Sequence, residues 1–334
     1  MGLVGGQVSF KGTQLLKGSS AVSGPNARKS AQTVTTVVTI CTRRKKADAV
    51  REATAVSLPV GTQSKVGAAW LKRLESLGAT AAAEDVYAGR GFAIARQAAE
   101  ALEGRLFIAS AGLGLVPSSR KIPPYGLTVS PLDPDSVANR ISGQLDSPGW
   151  FEAMLRGPYS DTWSKVANAG SGRILLALTN SYAAMIGPSL ATLPVATRER
   201  LRFFGPSLGE YLPPSLKANV CPYDSRIDTI MPGTKSDLPQ RCLLHFAQVV
   251  GGRAGDCESD FVNIKTSLKG VRRPARPVRP RQTDQQILKL INAHVKAGSG
   301  MVKTLRAIRH DHGVACEQGR FNRLYRLAAE GVAA

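Results

Sequence analysis

The chain reads as an α/β protein: a central, mostly parallel sheet flanked by helices, with a small C-terminal three-helix domain of helix-turn-helix outline. Three observations predict this. Strand-length runs rich in β-branched and apolar residues, the first from Thr33 to Ile40, recur along the chain. Between them lie segments whose apolar residues are spaced by three or four, and that alternation builds a sheet with helices on its faces. Beyond residue 283 the strand-like runs stop, and three short helical patterns follow, separated by Gly298, Gly300 and Gly313.

Residues 1–32, rich in Gly, Ser, Lys and Gln, show no sustained period and read as a mobile basic arm, with Gln7 to Leu16 able to add an edge strand. The run from Thr33 to Ile40 ends abruptly in Cys41-Thr42-Arg43-Arg44-Lys45-Lys46. Val66, Ala69, Trp70, Leu74 and Leu77 then repeat at helical spacing until Gly78. A second helix is predicted over Arg90 to Leu102, closed by Gly104. Arg105 to Ser110 is a strand running into the glycine loop Gly112-Leu113-Gly114-Leu115, and a proline-rich stretch covers Pro117 to Pro134. Trp150 to Leu155 reads as a helix and Arg173 to Thr179 as a buried strand. Leu201 to Phe204 and Lys217 to Cys221 are further strand candidates, and Leu238 to Val250 is a helix. Together, residues 33–267 form the α/β domain, whose ligand-handling residues belong at the carboxyl ends of its strands. Residues 268–283 are an Arg/Pro-rich linker whose prolines hold it extended. Residues 284–334 are the helical domain.

Charge is unevenly placed. Of 44 Lys/Arg and 24 Asp/Glu, residues 1–46 hold 8 basic and no acidic side chains, and residues 269–334 hold 14 and 4, leaving 22 and 20 for residues 47–268. A near-neutral body between cationic ends points to a nucleic-acid partner, with a merely supersoluble or ribosome-associated protein as the alternative. Hydrophobic residues make up 43% of the chain, so the net charge of +20 does not imply disorder. The five cysteines, Cys41, Cys221, Cys242, Cys257 and Cys316, form no CxxC pair. This argues for free thiols in a reducing, cytoplasmic setting. No apolar run approaches the ~20 residues that cross a bilayer, so no membrane partner is expected.

In the C-terminal domain the second helix carries Lys303, Arg306 and Arg309 and the third Arg320, Arg323 and Arg326. With Arg272, Arg273, Arg276 and Arg279 of the linker, these side chains suit backbone phosphate; a basic bundle that binds protein is the alternative. His310-Asp311-His312 with Cys316 matches no common zinc-finger spacing and reads as a solvated turn.

Four segments of the body hold most of its unusual polar residues. Cys41 to Lys46 follows the first strand; there Arg43, Arg44 and Lys46 are candidates for holding phosphate, or the cluster is a solvated helix start. Asp85, Tyr87 and Arg90 precede a helix, where exposed backbone N–H groups suit an anion or Asp85 is no more than an N-cap. Ser110, Gly112 and Gly114 form a turn that brings backbone close to a ligand, without the third glycine of a dinucleotide fingerprint. Tyr125, after two prolines, is presented for stacking on a base or caps the core. In the fourth segment Asp224 and Arg226 either handle water and a developing cation or form a structural ion pair. No Ser-His-Asp order or metal-ligand cluster emerges, so neither a metal nor another cofactor is expected.

The order Val37-Val38-Thr39-Ile40-Cys41 with Lys/Arg following, Asp85-x-Tyr87-x-Gly89-Arg90, Ser110-Ala111-Gly112-x-Gly114-Leu115-Val116 and Pro124-Tyr125 resembles the uracil-DNA-glycosylase-like domains related to the one in archaeosine synthases. Among these it is most similar to anti-phage DNA glycosylases that act on glucosylated hydroxymethylcytosine. The resemblance spans about residues 34–250; the Gly-Gln-Asp-Pro-Tyr-His loop of other uracil-DNA glycosylases is not present. It implies a uracil-DNA-glycosylase-like fold, double-stranded DNA as substrate, a flipped base and an oxocarbenium-like sugar stabilised by a carboxylate without a metal. On this basis Asp224 or Asp85 is the expected carboxylate and Arg226 its partner. The Gly112 to Val116 backbone is the expected pocket wall, and Tyr87 or Tyr125 the stacking surface. Cys41, Ser110, Asn180 and Tyr182 are the expected base or sugar contacts. A DNA-binding regulator that senses a nucleotide, and a transferase acting on a modified base in RNA, are the competing expectations.

Overall fold

The computed structural model describes residues 34–131, 133–251, 255–275 and 279–333. The expected N-terminal arm and Arg276 lie outside them. The described chain forms two units, one running up to Tyr223 and including Gly233–Ser267, the other made of Asp224–Pro232 and the chain from Leu268 onward. Asp224–Pro232, expected within the α/β domain, therefore belongs to the second unit.

The first unit is built on a five-stranded sheet of β1 (Thr36–Ile40), β2 (Arg105–Ser110), β3 (Gly114–Pro117), β4 (Ile174–Ala177) and β5 (Leu201–Phe204), in the order β3-β2-β1-β4-β5. All neighbours are parallel except β3, which folds back antiparallel on β2 through the glycine loop. The central strand β1 pairs residue for residue with β2, from Thr36 with Arg105 to Ile40 with Ala109.

Side chains alternate across this sheet as the period of two requires. Val38, Phe107, Leu176 and Phe203 face one layer, where Phe151 of α3 (Ser147–Met154) and Ala183, Ile186 and Leu190 of α4 (Asn180–Ala191) close the core. The opposite layer is α2 (Arg90–Ala101) packed on α5 (Leu238–Val249), with Phe246 edge-on to Phe204 at a centroid distance of 5.2 Å. Upstream of α2 lies α1 (Gln63–Ser76), whose first turn is capped by the Thr62 side chain accepting from the Lys65 N–H at 3.4 Å.

The sequence does not announce β3 or α4, and Lys217 to Cys221 and a helix beyond α5 also differ from expectation. Lys217 to Cys221 is not a strand: Pro214–Asn219 is a 3₁₀ turn, and only Val220 pairs with Phe203 before the Cys221 N–H donates to the Phe203 carbonyl at 2.9 Å. Pro213 at the N-cap and Pro214 in the first position start this turn, where a fixed φ and a missing N–H suit a helical turn, and the turn takes up Lys217 to Asn219. The unforeseen helix α6 (Cys257–Ser267) supplies Asp260, which is fully buried against Arg173 and Arg202.

In the second unit α7 (Asp284–Lys296), α8 (Met301–His310) and α9 (Gln318–Ala333) pack around Ile287, Ile291, Ile308, Phe321 and Leu324. A capping box starts α7: the Thr283 hydroxyl accepts from the Gln286 N–H and the Gln286 side chain accepts from the Thr283 N–H at 2.8 Å. Asp284 in the first turn of α7 binds Arg320 and Arg323 of α9, at 2.6 and 2.7 Å. Their hydrogen bonds hold its carboxyl below the usual aspartate range. Among the described residues no helix is long and apolar enough to cross a membrane.

Candidate active site

Winding reverses between β1 and β4. From β1 the chain crosses to β2 on one side, and from β4 it crosses to β5 on the other, so their carboxyl ends part and leave a crevice. Cys41 leaves β1 into this crevice and Tyr182 enters it from the first turn of α4; the Cys41 thiol and the Tyr182 hydroxyl lie 3.0 Å apart. They open a pocket of about 430 Å³, lined also by Arg43, Lys45, Thr54, Tyr125, Thr128, Asp133 and Asp135. That volume falls in the ~300–1,000 Å³ range of small-molecule sites.

Behind the pocket is a buried hydroxyl chain. The Tyr125 hydroxyl sits 2.6 Å from the Ser110 Oγ and 2.8 Å from the Tyr87 hydroxyl, while Ser110 Oγ accepts from the Gly112 and Leu113 N–H groups at 3.1 and 3.0 Å. Burial pushes both phenols far above their ordinary range, so they stay protonated. A Cβ on Gly112 would stand 2.7 Å from the Tyr125 ring, so glycine is what lets the ring lie against this turn. Trp70 and Trp150 donate their indole N–H groups to the Gly112 and Ala111 carbonyls, at 2.6 and 2.7 Å.

Above the Tyr125 ring stands Lys45, its Nζ 4.3 Å from the centroid and 6.0 Å from that of Tyr87. The segment is fixed by a bridge between Lys45 and Tyr87, by the Lys46 N–H donating to the Val86 carbonyl and the Ala88 N–H donating to the Arg44 carbonyl, each at 3.0 Å. Burial lowers the Lys45 pKa, opposed by the nearby Cys41, Asp135 and Asp133. At the mouth Asp133 is held by Arg43 at 3.1 Å, whereas the Asp135 carboxylate has no hydrogen-bond or ion-pair partner among the described residues. Burial and the like charge of Asp133 raise the Asp135 pKa, against the pull of Arg43 and Lys45. Gly126 makes room for this carboxylate, since a Cβ there would come 2.9 Å from Asp135 Oδ2.

The structure brings Cys41, Arg43, Tyr125 and Tyr182 together at this pocket, with Tyr87 and Ser110 behind it. It does not expose a stacking surface on Tyr87 or Tyr125, each only 1% exposed, and the open face of Tyr125 carries Lys45. Gly112 and Gly114 are buried and serve packing instead of lining the pocket. Asn180 is half-buried at the start of α4 and outside the lining.

Asp85 is exposed and 3.8 Å from Lys46, and Arg90 lies 3.6 Å from the buried Asp237. Asp224 is bound by Arg226 at 2.9 Å and by Arg273 at 3.1 Å within the second unit. Burial alone would raise its carboxyl, but the Arg226 hydrogen bonds outweigh that and hold it below the ordinary range. Neither Asp85, Asp224 nor Arg226 lines the pocket. For Asp224 and Arg226 the observed pairing is the structural one. Arg44 and Arg272 are exposed, and Arg279 is half-buried.

Sequence reasoning missed Lys45, Asp133 and Asp135. Lys45 stands in a run of four cations, and only the backbone pairing with Tyr87 turns it inward. The two aspartates sit at the end of the proline-rich stretch, where no period marks orientation. Among the described residues no three His, Cys, Asp or Glu side chains cluster as a metal-ligand set; His312 instead meets His294 at 3.1 Å. Comparison with protein-family models, with curated proteins and with solved structures returned no match.

Proposed function

We propose that the chain is a DNA glycosylase with a uracil-DNA-glycosylase-like α/β body and a helix-turn-helix-like C-terminal domain, excising a modified cytosine of phage DNA and needing no metal. The observation that carries this reading is the unpaired Asp135 carboxylate sharing one pocket with Lys45 at the switch point of the sheet. N-glycosidic cleavage develops positive charge on the sugar and negative charge on the departing base. Asp135 stabilises the former and orients the attacking water; the Lys45 ammonium donates its proton to the latter. Thr42, Thr54, Thr128 and Asp48 also line the pocket, a polar wall suited to a sugar-bearing base such as glucosylated hydroxymethylcytosine, although the Thr42 and Thr54 hydroxyls donate to backbone carbonyls and Thr128 accepts from the Ser130 N–H. The test is incubation with DNA carrying that base and with unmodified DNA, reading released base by chromatography and alkali-labile sites on a gel. Release from the modified DNA is expected; binding without release would leave a non-catalytic DNA-binding protein.

In the C-terminal unit Arg320 and Arg323 share Asp284, and Arg309 donates to the Cys316 carbonyl at 2.9 Å. Lys303, Arg306 and Arg326 are exposed without an ion pair among the described residues, so phosphate contacts are assigned to them. Each of Lys303→Ala and Arg306→Ala is expected to weaken binding on all sequences alike and to flatten the slope of log affinity against log salt by about 0.9. Fluorescence anisotropy between low and physiological salt measures it, and an affinity of the unaltered chain that is flat in salt would exclude phosphate binding.

A further inference from the structure

Of the basic run that follows β1, Arg43 and Lys45 both line the pocket, and of these two only Lys45 is without an ion pair among the described residues. Arg43 is engaged by Asp133 and Lys46 by Asp85, and Arg44 is exposed. Lys45 makes no hydrogen bond or ion pair among the described residues; its Nζ rests on the Tyr125 ring, 4.3 Å from the centroid, with its backbone held by the bridge to Tyr87. An amine with no oxygen partner keeps its lone pair available once it loses a proton. Burial favours that loss, although the neighbouring Asp133, Asp135 and Cys41 oppose it. Asp135 lines the same pocket as a carboxylate with nothing bound to it among the described residues. An amine and a free carboxylate facing one cavity are the pair that imine chemistry at a sugar aldehyde requires.

We propose that Lys45 is a covalent nucleophile: its amine forms an imine with the aldehyde of the abasic sugar left by base release, and the chain thereby cuts the DNA strand 3′ to that site. The inference rests on the glycosylase reading above, because base release both generates the aldehyde and, by taking the Lys45 proton, leaves the amine neutral. The amine nitrogen bonds to C1′ of the ring-opened sugar, the carbonyl oxygen leaves as water carrying one amine proton and one proton from solvent, and an iminium that keeps the other amine proton remains on Lys45. Asp135 then removes a proton from C2′, the bond between C3′ and its oxygen breaks, and the 3′ phosphate departs with that electron pair. Water adds to the conjugated iminium and returns Lys45 as the free amine with an unsaturated aldehyde on the cut strand. No oxidant or reductant is consumed.

The test uses the full chain and DNA carrying preformed aldehydic abasic sites, with sodium borohydride added to reduce any imine to a stable amine. The expected result is a protein–DNA adduct that peptide mass spectrometry places on Lys45, falling to background in Lys45→Arg, which keeps the cation but not the nucleophile. Base release from modified DNA is measured in parallel. A chain that releases base yet gives no adduct, or whose adduct maps to another residue, overturns the strand-cutting inference and leaves the glycosylase reading standing. An adduct on Lys45 without base release upholds the imine chemistry and removes the glycosylase reading. Neither adduct nor release overturns both. Because the adduct is mapped on the unaltered chain, the outcome does not depend on the variant folding.

Discussion

Replacing Asp260 by alanine is expected to lower the stability of the first unit by about 3–5 kcal/mol, the cost of stranding a buried charge. Asp260 is 0% exposed and receives the Nε–H of Arg202 at 2.8 Å and two N–H groups of Arg173 at 2.8 and 2.7 Å. Arg202 is 1% exposed in β5 and donates from its other side to the Glu199 and Leu201 carbonyls, at 2.7 and 2.8 Å. Those carbonyls are dipoles and cannot neutralise the guanidinium, so removing the carboxylate leaves a net charge in the core. Asp260→Asn is expected to cost nearly as much, because its amide points hydrogens at a guanidinium that offers only hydrogens. Urea denaturation followed by circular dichroism measures both. A loss below about 1 kcal/mol for Asp260→Ala would show that water or another anion reaches Arg202 and that the site is not closed. Replacing Arg202 and Asp260 together by apolar residues of similar volume should recover part of the loss, since a buried pair removed whole leaves no stranded charge.

The same contact shows where the sequence stops being legible. The strand runs Thr36–Ile40, Arg105–Ser110, Ile174–Ala177 and Leu201–Phe204 announce themselves, because a strand buried on both faces needs a short apolar run and little else produces one. Helix α6 does not, because its place is fixed by Asp260 reaching arginines 87 and 58 residues away, and no local period encodes such a pairing. The pocket divides along the same line. Cys41 and Tyr125 could be singled out since one follows a strand and the other a proline pair, whereas Tyr182 enters only through the family resemblance, because no sequence period marks the helix that carries it. Lys45 could not be told from Arg43, Arg44 and Lys46, because its orientation comes from a backbone bridge to Tyr87. Asp224 has the sequence signature of any functional carboxylate, and its pairing with Arg226 and Arg273 is visible only in the structure.

Asp135→Asn is expected to reduce base release by about 100- to 10,000-fold, the range for removing a positioned catalytic proton acceptor. Binding of modified DNA should persist, since the amide keeps the size of the carboxylate and the lining around it. The fold should tolerate the change, because Asp135 has no ion-pair partner among the described residues and stands beside the like charge of Asp133. The pH profile separates this role from a merely steric one. Asp135 must be ionised to stabilise the sugar cation, and burial together with Asp133 raises its pKa above the ordinary aspartate value of 3.8, with Arg43 and Lys45 pulling the other way. The rate of the unaltered chain is therefore expected to rise with pH along an acid limb centred above that value, and the residual rate of Asp135→Asn to lack this limb. Asp133→Asn offers the complementary measurement: it removes the repulsion that helps raise Asp135, so the limb should move to lower pH. It also frees Arg43 from its ion pair, leaving that cation to pull Asp135 in the same direction. If single-turnover kinetics gave Asp135→Asn the rate and acid limb of the unaltered chain, Asp135 would not be the group that meets the sugar.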